Sequence, residues 1–93
     1  MSTVRRIAVI GAGPMGQLHA RAILRRAETC GDVELAWTID HRPERSEAVA
    51  EACGGFSGTE LQKALPGLDA AVVAVPTAAH VEVAERLLDA GVD

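Results

Sequence analysis

Ile7-Ala8-Val9-Ile10-Gly11-Ala12-Gly13-Pro14-Met15-Gly16 decides how the chain reads. Four apolar residues in a row, closed by a glycine, predict a short strand starting at Arg6 and covered on both faces. From Met15 the spacing changes. Met15, Leu18, Ala22, Ile23, Ala27 and Cys30 recur at three- and four-residue steps, which predicts a helix that Gly31 stops. Gly11 to Gly16 fits G-x-G-x-x-G, a weak sign by itself because glycine-rich turns after strands are common. Between a buried strand and an amphipathic helix the string gains force.

Outward from that loop, strand and helix patterns alternate. Val33, Leu35, Trp37 and Ile39 alternate with Glu34, Ala36 and Thr38, predicting a second strand that ends at Asp40. Pro43 opens a helix at its first turn, where a missing N–H costs nothing, and Gly54-Gly55 closes it after Cys53. Phe56 marks a short third strand. Thr59 reads as the cap of a brief helix over Glu60 to Leu65. Ala70 to Val75, apolar throughout, is expected to be a fourth and fully buried strand, and the last helix carries Val81, Ala84, Leu87 and Leu88 on one face, with Gly91 just past its end. The alternation predicts an α/β fold: a Rossmann-type doubly wound parallel sheet of about four strands in the order 3-2-1-4, in three α/β/α layers. A run as apolar as Ala70 to Val75 belongs inside a sheet, yet in this order it is an edge, where it invites self-association.

Each loop glycine has a physical reason under this fold. Gly11 permits the tight turn, Gly13 leaves room for a diphosphate against the backbone, and Gly16 lets helix and strand lie close. The helix start, with Ala12, Pro14 and Met15 around it, offers unpaired N–H groups and partial positive charge to phosphate oxygens. Pro14 removes one donor, leaving Met15 and its neighbours. Asp40 stands 24 residues beyond Gly16 at the end of the second strand, where an acid accepts from adenosine ribose hydroxyls; a turn or helix-capping aspartate is the alternative. At ~4 Å its charge disfavours a 2′-phosphate by roughly 1 kcal/mol in water and about 4 kcal/mol at a protein surface, which favours NAD. His41 and Arg42 follow, and Arg42 swinging inward keeps NADP open. The third segment is Val75-Pro76-Thr77-Ala78-Ala79-His80, after the fourth strand. Strands one and four flank the point where the winding reverses, so this loop is expected to face the glycine loop across the cofactor. Thr77 doubles as a helix N-cap, and His80 reads as a capping or packing histidine before an acid–base one.

Composition narrows the classes. Ninety-three residues make one small domain, and 48% hydrophobic with 24% charged residues is a globular balance. Trp37 and Phe56 are the only aromatics and the net charge is −4, which argues against base stacking, phosphate-backbone binding and anionic membranes. Cys30 and Cys53 have neither CxxC spacing nor a histidine co-ligand and read as core thiols in a reducing compartment, with no metal site. Nothing approaches 18 apolar residues. Arg5-Arg6 before Ile7 imitates a signal peptide, but the glycines break the run, so a cytoplasmic location is expected.

The three segments together resemble the N-terminal NAD(P)-binding domain of the Gfo/Idh/MocA oxidoreductases. The likeness is carried by Gly16-Gln17-Leu18-His19, by Asp40 followed by Arg42-Pro43-Glu44-Arg45, and by Pro76-Thr77-Ala78-Ala79-His80 leading to a helix that ends at Ala90-Gly91. It covers residues 5 to 93 and implies NAD(P)-dependent hydride transfer to or from a sugar, cyclitol or similar polyol. His19 takes a structural role near the loop. The family continues with a Glu-Lys-Pro motif and a larger sheet domain that brings proton-transferring residues. Residues 1–93 hold neither, and the only lysine, Lys63, lies in the short helix on the other side of the sheet. The expectation is therefore an incomplete dinucleotide-binding domain with the C-terminal substrate domain absent, no catalytic residue of its own, and a homo-oligomer in the full-length protein. A stand-alone, non-catalytic NAD-binding or redox-sensing module is the alternative.

Overall fold

The computed structural model describes residues 4–93, apart from the side chains of Thr77 and Ala78. Eight elements follow in order: β1 (Arg5–Ile10), α1 (Pro14–Cys30), β2 (Val33–Ile39), α2 (Pro43–Cys53), β3 (Phe56–Gly58), α3 (Leu61–Ala64), β4 (Ala70–Val73) and α4 (Thr77–Asp89). All pairings are parallel, in the order β3-β2-β1-β4. Helices α1 and α2 cover one face, packing Ala20, Ile23, Val49 and Cys53 against Val9 and Leu35. On the other face Leu61, Ala64, Leu68 and Leu87 pack against Ala8, Ile10 and Ile39. The sheet is doubly wound, and the winding reverses between β1 and β4, as the alternation of patterns predicts.

Two details of packing depart from the sequence reading. The register of β1 on β2 slips by one residue between Ile7 and Ala8, so Ile7 faces Leu35 while Ala8 faces Trp37. Val33 and Leu35 therefore pack towards α1 and α2, whereas Trp37 and Ile39 pack towards α3 and α4. Strict alternation would have put all four on one side. In α1 the buried positions are Gly16, Ala20 and Ile23, and Met15 and Leu18 are more than half exposed. Small residues face the sheet because the helix lies too close for large ones. Cys30 is exposed as well, and only Cys53 is a core thiol.

The ends of the elements follow local chemistry. Gly31 adopts φ +68° and terminates α1, next to a 2.7 Å ion pair of Arg26 with Asp32. The Arg26 guanidinium, by hydrogen bond and charge, holds the Asp32 carboxyl below its ordinary range. Helix α3 starts at Leu61 after Glu60 without a side-chain cap, so Thr59 does not cap it. Likewise Thr77 is the first residue of α4 and Pro76 precedes it as the N-cap. Past α4, the Gly91 N–H donates to Leu88 and the Val92 N–H to Leu87, a Schellman ending that buries Val92 against Leu87.

Strand β4 stops at Val73 and is only half-buried, because among the described residues no full strand pairs with its outer edge. Backbone bonds from Asp93 to Asp69 and from Ala71 to Asp93 occupy part of that edge. The centre of the sheet carries a polar orphan: the Thr38 hydroxyl is fully buried and has no hydrogen-bond partner among the described residues. An unpaired buried hydroxyl costs about 1–3 kcal/mol. Thr38→Val, of nearly the same shape, is therefore expected to raise the melting temperature by about 4 °C or more, measured by circular dichroism. An unchanged or lower midpoint would mean that the hydroxyl is paired in solution.

Candidate functional site

At the carboxyl ends of β1, β2 and β4 lies a cleft of about 410 Å³, lined by Gly11, Gly13, Pro14, Met15, Asp40, His41, Arg45, Ala74, Val75 and Pro76. The topology puts it there: β1 and β4 are neighbours whose following segments leave to opposite faces of the sheet, so a crevice opens between them.

Two of the three motif glycines are required by the fold itself. Gly11 has φ +103°, and a Cβ on it would sit 2.5 Å from the Ala74 carbonyl oxygen. A Cβ on Gly16 would overlap the Gly11 carbonyl, so α1 packs backbone to backbone on the end of β1. Gly13 differs. Its backbone is extended, with φ −74°, and the nearest atom to a built Cβ is an Arg45 guanidinium nitrogen at 3.9 Å. Nothing inside the protein demands glycine there. What it provides is bare backbone facing the cleft.

The start of α1 adds donors. Pro14 occupies the first helical position, no side chain caps the helix, and its first turn holds no acid. The N–H groups of Met15 and Gly16 belong to the turn that lacks intrahelical acceptors, and the helix dipole places partial positive charge beside them. The neighbouring groove of about 240 Å³ between α1 and α2, lined by Gln17, Arg21, Ala48, Val49, Ala52 and Cys53, lacks such a helix start.

Asp40 is 7% exposed and knits three segments together. One carboxylate oxygen accepts the Ala12 N–H and the other the Arg42 N–H, each at 2.8 Å, while its own N–H donates to Gly58. His41 is exposed, with its Nδ1 3.7 Å from the same carboxylate. The structure thus brings Gly11, Gly13, Pro14, Met15, Asp40, His41, Val75 and Pro76 around one cleft. Ala12 and Gly16 are buried beneath it. Arg42 contributes its backbone to the Asp40 turn, and its side chain does not line the cleft. The Thr77 side chain lies outside the described residues. His80 turns its Nε2 to the Val73 carbonyl at 3.2 Å, tying α4 to the end of β4 rather than facing the cleft.

Three residues were not expected at the site from the sequence: Ala74, Arg45 and Gln17. Ala74 follows directly from strand β4 ending two residues early. Arg45 is the third residue of α2, and Pro43 already marked where that helix starts, so the first-turn position was a usable signal. Gln17 donates to the Ala12 carbonyl at 3.2 Å, a contact that no spacing rule announces.

With this geometry in hand, the comparisons are specific. The sequence model of the Gfo/Idh/MocA oxidoreductases, described as an oxidoreductase family with an NAD-binding Rossmann fold, matches residues 5–93. An inositol 2-dehydrogenase of Rhizobium meliloti (strain 1021) is 34% identical over 87 residues, which cover 92% of this chain and 25% of that protein. Among solved structures, GenD2 from gentamicin A biosynthesis, in complex with NAD, superposes with a TM-score of 0.89 at 29% identity, covering 100% of this chain and 26% of its own. A variant of KijD10, a 3-ketoreductase from Actinomadura kijaniata in complex with TDP-benzene and NADP, gives 0.80 at 26% identity, covering 97% and 28%. The chain spans about a quarter of the length of these relatives.

The contrast between Gly11 and Gly13 is testable without any ligand. Gly11→Ala meets both a positive φ and a carbonyl, so a loss of at least about 2 kcal/mol and a much lower melting temperature are expected. Gly13→Ala should leave the stability unchanged or raise it slightly, by about 0.4–1 kcal/mol, because the unfolded chain becomes stiffer. Equal destabilisation by the two would remove the distinction.

Proposed function

The chain belongs to the Gfo/Idh/MocA oxidoreductase family, and from that premise we propose that residues 1–93 are the dinucleotide-binding part of an NAD(P)-dependent dehydrogenase or reductase. Its substrate class is a sugar, cyclitol or similar polyol, supported by the inositol 2-dehydrogenase and 3-ketoreductase names among its relatives. The observation that carries the reading is Gly13: a glycine that folding does not require, facing a cleft beside a bare helix start. Such a cradle fits a diphosphate.

In this reading the N–H groups of Met15 and Gly16 hold the diphosphate oxygens, with Gly11 and Gly13 keeping side chains out of the way. Asp40 retains unused lone pairs on both oxygens and accepts from the adenosine ribose hydroxyls. His41 and Arg45 border the adenosine end. Val75 and Pro76 form the wall at the nicotinamide half. The nicotinamide supplies the hydride acceptor or donor, and the protein contributes orientation and exclusion of water. Asp40 is fixed by two backbone bonds and cannot turn away, so its charge opposes a 2′-phosphate and NAD is preferred. Arg45, with Arg42 close by in sequence, tempers that preference for NADP.

No helix among the described residues is long and apolar enough to cross a membrane. We place the protein in the cytoplasm, consistent with its free thiols, with no nucleic-acid partner at its net charge of −4. In the longer protein, a second domain would complete the substrate site and a homo-oligomer would form. Nothing in the comparisons favours a stand-alone sensor.

Titration of the chain with NADH, followed by nicotinamide fluorescence, is expected to saturate, with NADPH binding more weakly. Gly13→Val should fold normally yet weaken NADH at least tenfold, because its branched side chain fills the diphosphate cradle. A flat wild-type titration at millimolar NADH would refute the proposal.

A further inference from the structure

The buried loop residue Ala12 is held from both sides. Its N–H donates to the Asp40 carboxylate at 2.8 Å, and its carbonyl accepts from the Gln17 side chain at 3.2 Å. Ala12 itself is completely buried, so water cannot replace either partner readily. Gln17 sits on α1, four residues after Gly13, and its N–H closes the first helical turn onto the Gly13 carbonyl at 2.9 Å. The same residue thus grips the loop with its backbone and its side chain.

The consequence lies in the next peptide. A trans peptide is planar, with carbonyl and N–H on opposite sides. Fixing the Ala12 carbonyl towards Gln17 therefore fixes the Gly13 N–H in the reverse direction. Gly13 lines the cleft, and its N–H has no acceptor among the described residues. Glycine has the widest conformational freedom of any residue, so this peptide would otherwise rotate.

We propose that Gln17 is a positioning residue for the dinucleotide. Through Ala12 it aims the Gly13 N–H as a donor to the diphosphate, alongside Met15 and Gly16, while Asp40 holds the preceding peptide. Gln17 does not line the cleft, so it acts without touching the cofactor. The proposal rests on the dinucleotide reading given above. It also makes Asp40 a loop clamp in addition to a ribose acceptor, so its removal is felt by any bound dinucleotide.

The decisive variant is Gln17→Met, which keeps the length and helix propensity of the side chain and removes its donor. Without cofactor, amide exchange followed by NMR is expected to show Ala12 exchanging about tenfold faster than in wild type, a larger factor than the core amides gain from the accompanying fall in stability. With cofactor, NADH and NADPH should weaken by the same factor, roughly three- to tenfold, because the two differ only at the ribose. ADP, which keeps the diphosphate, should weaken in parallel. A loss confined to NADH, or no loss, overturns the proposal, as does unchanged exchange at Ala12. If wild type binds no dinucleotide, the functional reading fails, and the exchange result still decides whether Gln17 clamps the loop. Asp40→Ala and Asp40→Asn give a second measure. The clamp predicts that alanine weakens both dinucleotides and speeds Ala12 exchange, while asparagine, with one acceptor oxygen for two N–H groups, gives exchange slower than alanine and faster than wild type.

Discussion

The carbonyl of Gly11 occupies the space where residue 16 would carry a side chain, and the rest of the molecule is arranged around that contact. It brings the start of α1 onto the end of β1 with no side chain between them. A helix held this close presents small residues to the sheet, which is why Gly16 and Ala20 are buried while Met15 and Leu18 look outwards. The helix dipole is thereby aimed across the strand ends instead of into solvent. Binding capacity and packing come from one geometric constraint.

Around this contact the glycine loop is fastened on every side except one. The Gly11 N–H is taken by Ile39, Ala12 by Asp40 and Gln17, and the Gly13 carbonyl by the helix. The β4 loop presses on Gly11 through the Ala74 carbonyl and is itself anchored by a 2.7 Å bond from the Ala74 N–H to Ile10. The open side faces the cleft. Such pre-organisation reduces the entropy lost on binding, since the donors are already ordered. Asp40 takes part in it as a buried carboxylate that accepts from two backbone amides.

How much of this was legible in the sequence varies with the physics involved. Strand order, the glycine loop and Asp40 follow from patterns with strong backbone causes: positive φ, a missing Cβ, a proline at a helix start. The exposed face of α1 was misjudged because hydrophobicity was taken as a guide to burial, whereas close approach selects by size. The faces of Trp37 and Ile39 were misjudged because a register slip leaves no compositional trace. Arg45 and Gln17 act through side-chain reach across neighbouring turns, and spacing rules do not encode reach. His80, expected to cap or pack, is exposed and bonds the Val73 carbonyl through its ring.

The slip in β2 has a larger meaning than a local irregularity. Side chains along a strand alternate, so an odd residue upstream reverses the phase of everything downstream. Past the skipped Ala36, β2 stays in step with β1 as far as Ile10 beside Ile39, and Asp40 follows directly with its carboxylate on the Ala12 N–H. Sequence distance between the loop and its acid is therefore elastic in the connecting turns but quantised within the strand.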